Sequence, residues 1–225
     1  MFKYETHCHT SPVSACGRVS VEEMLDFYKS EGYDGVFITN HFLDGNIGID
    51  WHKSVEEKLK FYFSDYEKGV EYGKKIGIKV FLGIEMSYGG TDFLVFGLDK
   101  DWWFDHMEVL EERKSRQLPY LMEAGALVVQ AHPFREANYI DHIRLFPRGV
   151  EGVEVMNADR TDFENKMANI YAEEYGFVKT AGSDNHWGRD AKRLAGLECE
   201  ESVESVEDFI RFVREGKMKI FVTER

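Results

Sequence analysis

The amino-acid sequence predicts an α/β fold of the barrel type, and three observations lead to that prediction. Strand and helix signals alternate along the whole chain of 225 residues, as in βα units built on a parallel sheet. The clearest strands are short apolar runs, which indicates burial on both faces. Histidine and acidic residues follow five of these strands directly, and such strand ends converge at one mouth of a (β/α) barrel. One domain over residues 1–225 suffices for this fold, and no linker interrupts it.

Apolar runs that are bounded by polar residues and turns predict eight strands. Gly89-Gly90 predicts a tight turn between the third and fourth strands. The predicted strands are residues 2–4, 36–39, 80–84, 93–96, 127–131, 153–156, 178–181 and 220–222.

Start and stop signals in the sequence predict the helices. Capping boxes at Ser20 and Ser54 predict helices over 21–31 and 55–76, and a similar pattern at Ser205 predicts one up to residue 215. A helix over 162–175 is expected to stop at a glycine. Residues 108–123 are predicted to be mostly helical, with a break or kink at Pro119. Trp102 and Trp103 are expected in a loop.

Composition argues against several classes of protein. The formal net charge of −13 disfavours a nucleic-acid partner, which would attract basic surfaces. The chain has no run of about 18 apolar residues, so we expect no membrane span. The first residues do not resemble a signal peptide. Three widely spaced cysteines fit a reducing, cytoplasmic setting better than a disulfide framework. The oligomeric state stays open.

The residues of the candidate site directly follow predicted strands. His7 and His9 alternate along an extended segment, so their side chains share one face and can bind one metal ion. The other candidates follow four further strands, and imidazole and carboxylate groups are the usual ligands of zinc, iron and manganese. Each residue alone could instead be a loop or capping residue. These further candidates are His41, Glu85, His132, Asp184 and His186.

These segments, taken in order, resemble the PHP family, the polymerase and histidinol phosphatase group. The resemblance rests on His7-x-His9, Ile38-Thr39-Asn40-His41, Gly83-Ile84-Glu85, Ala131-His132-Pro133 and Ser183-Asp184-Asn185-His186. It spans nearly the whole chain. It implies a distorted seven-stranded (β/α) barrel, a site for two or three metal ions at the C-terminal ends of the strands, and phosphoester hydrolysis.

The chain departs from the family pattern at three positions. Cys16-Gly17 stands where family members usually have an aspartate or histidine, Asp92 stands where many have a histidine, and Asn40 replaces a common aspartate. Cys16 could be a soft metal ligand or a redox-sensitive gate, but a small buried residue is slightly favoured.

The resulting hypothesis is a metal-dependent phosphoesterase that uses two or three manganese, iron or zinc ions. In it, His7, His9, Glu85 and Asp184 hold one ion. Glu85 bridges to a second ion, which His132 and Asp92 also bind, and His41 with His186 holds a third. A hydroxide between two ions would attack phosphorus. The catalytic residues are expected to be His7, His9, Glu85, Asp184 and His186.

The expected substrate is a small phosphomonoester. Arg18, Arg135 and Arg189 lie close to the motifs and could bind its phosphate bidentately, although each could also be a surface residue. Two alternatives stay open. One is a metal-dependent amidohydrolase that cleaves a C–N bond, and the other is a metal-binding interaction module without activity.

Overall fold

A single nine-stranded sheet organises the chain in a computed structural model that describes residues 1–225. The strands follow the order β7-β6-β5-β4-β3-β2-β1-β8-β9 across the sheet. Their bounds are β1 Phe2–Glu5, β2 Gly35–Ile38, β3 Lys79–Tyr88, β4 Thr91–Phe96, β5 Leu127–Ala131, β6 Gly152–Asn157, β7 Val178–Gly182, β8 Arg193–Cys199 and β9 Lys219–Glu224.

The sheet curls into a nearly closed barrel. Strands β1, β2 and β3 pair in parallel, as do β5, β6 and β7, and β4 is antiparallel to both of its neighbours. Beyond β1 and β7, the His9 amide donates to the Asn185 carbonyl at 2.9 Å and joins the two ends of the seven strands from β7 to β1. The barrel class is therefore confirmed. A regular repeat of seven βα units is not confirmed, since β4, β8 and β9 run antiparallel to their sheet neighbours.

Gly182 allows this closure because β1 and β7 approach closely at that point. A Cβ atom at Gly182 would lie 2.4 Å from the Cβ of His7, well inside normal contact distance.

Six helices cover the sheet. They are α1 Val21–Ser30, α2 Val55–Ile76, α3 Lys100–Asp105, α4 Lys114–Glu123, α5 Asp162–Tyr175 and α6 Val206–Arg214. Full capping boxes begin α1 and α2, as predicted, and another begins α5 at Thr161. No helix is long and apolar enough to cross a membrane.

Four predictions about elements were wrong. Trp102 and Trp103 lie in α3, where burial of Trp103 against Phe42 holds the short helix in place. Pro119 lies inside α4, and the helical region is interrupted earlier, between a 3-10 turn at Met107–Glu111 and the start of α4. Strand β8 was not predicted, and β3 continues through Glu85 to Tyr88.

A layer of apolar side chains fills the barrel below the strand ends. Phe37 from β2 and Phe96 from β4 pack on Phe209 of α6, with ring centroids 4.3 Å and 5.2 Å away. Ile210 of α6 lies against Gly97, which follows the end of the antiparallel strand β4. The sixth helix therefore covers the N-terminal end of the parallel strands, and the polar site occupies the other end.

Candidate metal centre

The predicted metal ligands meet at one end of the barrel. His7 and His9 follow β1, His41 follows β2 and forms an isolated bridge with Glu85 in β3, and His132 follows β5. Asp184 and His186 follow β7. Three overlapping groups have ligand atoms within 4.8 Å of one another: His9, His41 and His186; His7, Glu85 and His132; and His7, His9 and Asp184.

Glu85 lies at the centre of this cluster. Its Oε1 is 3.1 Å from His7 Nε2 and 3.3 Å from His132 Nε2. Its Oε2 is 2.6 Å from His41 Nδ1 and 3.5 Å from His9 Nε2. The two carboxylate oxygens therefore face two different sets of imidazoles, the arrangement that a bridging ligand needs.

Asp184 is the second carboxylate of this cluster. Its Oδ1 is 3.2 Å from His9 Nε2 and 3.5 Å from His7 Nε2, and its Oδ2 is 3.7 Å from His132 Nε2. Every one of these side chains is at most 5% exposed, so water does not screen their charges.

Hydrogen bonds fix which ring nitrogen carries the proton. His7 Nδ1 is 2.9 Å from Glu154 Oε1, and an ionised carboxylate can only accept, so Nδ1–H donates. The Ser14 hydroxyl donates to Asn40 Oδ1 at 2.8 Å and therefore accepts from His9 Nδ1–H at 3.1 Å. Nε2 of His9 then carries a lone pair that faces the carboxylates, and Nε2 of His7 lies within hydrogen-bonding distance of Glu85 Oε1, at 3.1 Å.

This arrangement fits a bound cation. The lone pair on His9 Nε2 lies 3.2 Å from Asp184 Oδ1 and 3.5 Å from Glu85 Oε2, which is repulsive unless a positive charge lies between these atoms. His9 Nε2 and Glu85 Oε2 are buried and make no hydrogen bond. Metal-binding histidines typically donate their other N–H to a carboxylate, a carbonyl or a hydroxyl, as His7 and His9 do.

The electrostatics of the cluster also favour a cation. Burial opposes ionisation of Glu85, but the imidazoles of His41, His7 and His9 outweigh it and hold its pKa well below the ordinary value. Asp184 behaves in the same way, chiefly through His7. Burial, together with His186 and His41, lowers the pKa of His9 well below its usual range, so that ring stays neutral. Burial opposes protonation of His7 and His41, but Glu154 at His7 and Glu85 at His41 outweigh it and raise the pKa of both rings well above the usual value. A metal ion bound among these groups would therefore displace protons.

Cys16 lies beside this cluster on the side of the mouth. Burial opposes ionisation of its thiol, but hydrogen bonds from His186 and His41 outweigh burial and lower its pKa to about 6. It is partly exposed rather than buried in the core, so the favoured interpretation of Cys16 as a small buried residue was wrong.

Several residues that orient the ligands were not identified from the sequence. Glu154 lies in β6, where it accepts from His7, from the His132 amide at 3.1 Å and from Asn157 at 2.9 Å. The sequence did contain an indication of this role, because a glutamate inside the apolar run of β6 is buried and then needs hydrogen-bond donors. The Glu5 carboxylate accepts three backbone N–H groups at 2.8–3.0 Å across the joint between β1 and β7.

His132 and Asp184 also have unusual backbone conformations. Their φ angles are 28° and 52°, and they are the only residues other than glycine with positive φ in the chain. Such conformations are strained and concentrate at functional sites. Here they turn the chain sharply after β5 and β7, so that both side chains face the cluster.

The predicted phosphate-binding arginines separate into two kinds. Arg135 lines a mouth cavity of about 590 Å³ above Glu85 and Asp184, and it pairs with Asp92 at 2.9 Å. Asp92 is 3.9 Å from His132 and lies outside the three close ligand groups. Arg18 stacks on Trp187 and Arg189 is exposed near Glu23, so neither lines the mouth as the sequence led us to expect. Arg160, which the sequence did not suggest, does line it.

Known structures share this fold. A two-domain protein from Bacteroides vulgatus that contains a predicted PHP-like metal-dependent phosphoesterase matches 98% of this chain, at 15% identity and a TM-score of 0.73, and the match covers 64% of that protein. A candidate metal-dependent phosphoesterase from Bifidobacterium adolescentis matches 94% of this chain and 95% of its own, at 14% identity and a TM-score of 0.59.

An amidohydrolase from Chromobacterium violaceum, solved with bound sulfate and no metal, covers 96% of this chain and 97% of its own, at 14% identity and a TM-score of 0.57. No family model and no curated protein sequence matches the chain. The resemblance to the PHP group is thus confirmed at the level of the fold.

Proposed function

We propose that this chain is a metal-dependent phosphoesterase of the PHP type that hydrolyses a small phosphomonoester. One observation carries the proposal: a cavity of about 590 Å³ has Glu85, Asp184 and histidines on its floor and two guanidinium groups, those of Arg135 and Arg160, in its wall. A phosphomonoester dianion needs cationic groups beyond the metal ions, whereas a neutral amide does not. The names of the Bacteroides and Bifidobacterium neighbours support the same class.

The ligands proposed for the ions are His7, His9, His132, Glu85 and Asp184, with His41 and His186 towards the mouth. Divalent ions held there would lower the pKa of bound water towards neutrality and neutralise charge on phosphate oxygens. Manganese, iron and zinc all suit such nitrogen and oxygen donors.

The side chains of the wall would bind and orient the substrate. Arg135 is held by Asp92 at 2.9 Å and is 15% exposed, so its guanidinium is already positioned in the mouth. Arg160 lines the same cavity. Charge-assisted hydrogen bonds from these two groups would fix the phosphate over Glu85 and Asp184. Glu154 and Ser14 would keep the imidazole lone pairs pointing inward throughout.

The competing candidate is hydrolysis of a C–N bond by the same centre. The name of the Chromobacterium neighbour supports it. The guanidinium groups of Arg135 and Arg160, which pair with Asp92 and Asp159, support the phosphoesterase, and one experiment separates the two candidates.

The test measures inorganic phosphate released from sugar, amino-alcohol and nucleoside phosphates, beside N-acyl and cyclic amide substrates, with manganese, iron or zinc. We expect phosphate release that a chelator abolishes and added metal restores. Asp184→Asn, prepared identically, should lose this activity and so controls for a contaminating phosphatase. Amide turnover without phosphate release from any substrate would contradict the proposal.

A further inference from the structure

A chain of buried hydrogen bonds connects the ring of His9 with helix α2. Thr10 and Ser14 follow β1, Asn40 follows β2 and Asp65 lies in α2. Each of these four residues is at most 4% exposed. The Asp65 carboxylate lies outside the close ligand groups, and its side-chain hydrogen bonds come from Thr10 and Asn40. Burying a carboxylate is costly, so these bonds point to a role for Asp65 behind the metal centre.

A backbone N–H, which can only donate, determines the orientation of the Asn40 carboxamide. The Thr10 amide donates to Asn40 Oδ1 at 2.6 Å, so the oxygen of the carboxamide faces the segment after β1. The NH2 group then donates to Thr10 Oγ1 at 2.8 Å and lies 3.5 Å from Asp65 Oδ2. The Thr10 hydroxyl in turn donates to Asp65 Oδ2 at 2.8 Å. Asp65 therefore accepts at the outer end of this chain, and the carboxamide cannot be reversed without opposing two donors.

Ser14 transmits this orientation to His9. The Ser14 hydroxyl donates to Asn40 Oδ1 at 2.8 Å and accepts from the His41 amide N–H at 3.0 Å. A hydroxyl has one proton and two lone pairs, so the second lone pair accepts from His9 Nδ1–H at 3.1 Å. Without an acceptor at Asn40, the hydroxyl proton would turn to His9 Nδ1. The ring proton would then move to Nε2, the atom that lies 3.2 Å from Asp184.

We propose that Asn40 is a positioning residue of the metal centre: its carboxamide oxygen orients the Ser14 hydroxyl, which keeps the proton of His9 on Nδ1 and leaves Nε2 free for a metal ion. Asp65 requires an amide at this position. A carboxylate at residue 40 would place a second oxygen 3.5 Å from Asp65 Oδ2, and two buried negative charges so close repel each other. The inference rests on the proposed metal centre and deepens it, but it does not depend on which bond the enzyme cleaves.

Nitrogen-15 NMR of the imidazole rings in metal-free protein tests the proposal, because it distinguishes a protonated ring nitrogen from one with a lone pair. We expect the His9 proton on Nδ1 in the wild type and in the control Asn169→Leu, which changes a surface asparagine of α5. In Asn40→Leu the proton should move to Nε2, and zinc affinity should fall about 10- to 100-fold. A proton on Nε2 of wild-type His9 would overturn the proposal, and so would a folded Asn40→Leu protein that keeps it on Nδ1.

The role of Asp65 is tested by exchanging the amide and the carboxylate. Urea unfolding of the metal-free protein at neutral pH compares the wild type, each single variant and Asn40→Asp/Asp65→Asn. Asn40→Asp should lower the unfolding midpoint, and the double variant, which again has one amide and one carboxylate, should recover most of the loss. A midpoint of Asn40→Asp equal to that of the wild type, or a double variant no more stable than Asn40→Asp, would refute this role. Neither experiment measures phosphate release, so a failure of the phosphoesterase proposal is recognised separately.

Discussion

Glu154→Gln tests whether the hydrogen bond to His7 controls metal binding. Glutamate accepts from His7 Nδ1–H at 2.9 Å with one oxygen, and from the His132 amide and Asn157 with the other. Glutamine has the same shape but only one oxygen. Its NH2 group must therefore point at a donor on one side or the other.

The amide has two orientations, and each one disturbs the site. If its NH2 faces His7, Nδ1 must become the acceptor and the ring proton moves to Nε2, which blocks the metal lone pair. If its NH2 faces His132 and Asn157, it meets the His132 amide N–H and the Asn157 NH2, two buried donors that then lack an acceptor. Loss of such an orienting partner typically weakens metal affinity by about 10- to 100-fold, or about 1.4–2.8 kcal/mol.

The assay is zinc or manganese titration against a competing chelator, with circular dichroism to verify the fold. The matched control is Glu151→Gln, which alters a carboxylate three positions earlier that pairs with Arg214 outside the site. Metal affinity of Glu154→Gln within about twofold of the wild type would refute the reasoning, since that difference is under 0.5 kcal/mol.

The remaining predictions concern substrate binding, barrel closure and metal removal. Arg135→Ala should raise KM for a phosphomonoester by about 10- to 100-fold, because charge-assisted hydrogen bonds contribute about 1.5–3 kcal/mol, and steady-state kinetics should show little change for the exposed Arg189→Ala. Gly182→Ala should lower the free energy of unfolding by about 1–3 kcal/mol, since its Cβ would lie 2.4 Å from that of His7. Urea unfolding measures this, and Gly149→Ala, whose Cβ meets nothing closer than 3.3 Å, should lose less. Chelation should lower Tm by about 5–10 °C in calorimetry, because ions at about 100 times Kd contribute about 2.7 kcal/mol. An unchanged Tm after complete removal of metal would contradict the proposed centre.

The sequence was most informative where local rules decide the structure. The capping boxes at Ser20 and Ser54 marked the starts of two helices, because the cap is made by residues three apart. The positions of His7, Glu85 and Asp184 near strand ends placed them at one mouth, because parallel strands end together.

Features that depend on distant partners were missed. Strand β8 contains alanine and glycine, weak strand formers, and it exists because β1 and β9 pair with it. Glu154 had no neighbouring motif, and its role appears only when His7 from another strand lies 2.9 Å away. Arg160 and Arg189 look alike in the sequence, and only the path of the loops brings one of them to the cavity and leaves the other outside.

The joint between β1 and β7 also constrains the order of folding. The Thr6 hydroxyl donates to the Ala181 carbonyl across 175 positions, and the Asn185 carbonyl accepts from His9 at the same joint. Closing so long a loop is entropically costly and must be compensated by contacts that form together. During synthesis, β1 is therefore made long before β7, with which it closes the barrel. Until then, His7 and His9, which are separated by one residue, have no Asp184 beside them, and the candidate metal centre is completed only when the barrel closes.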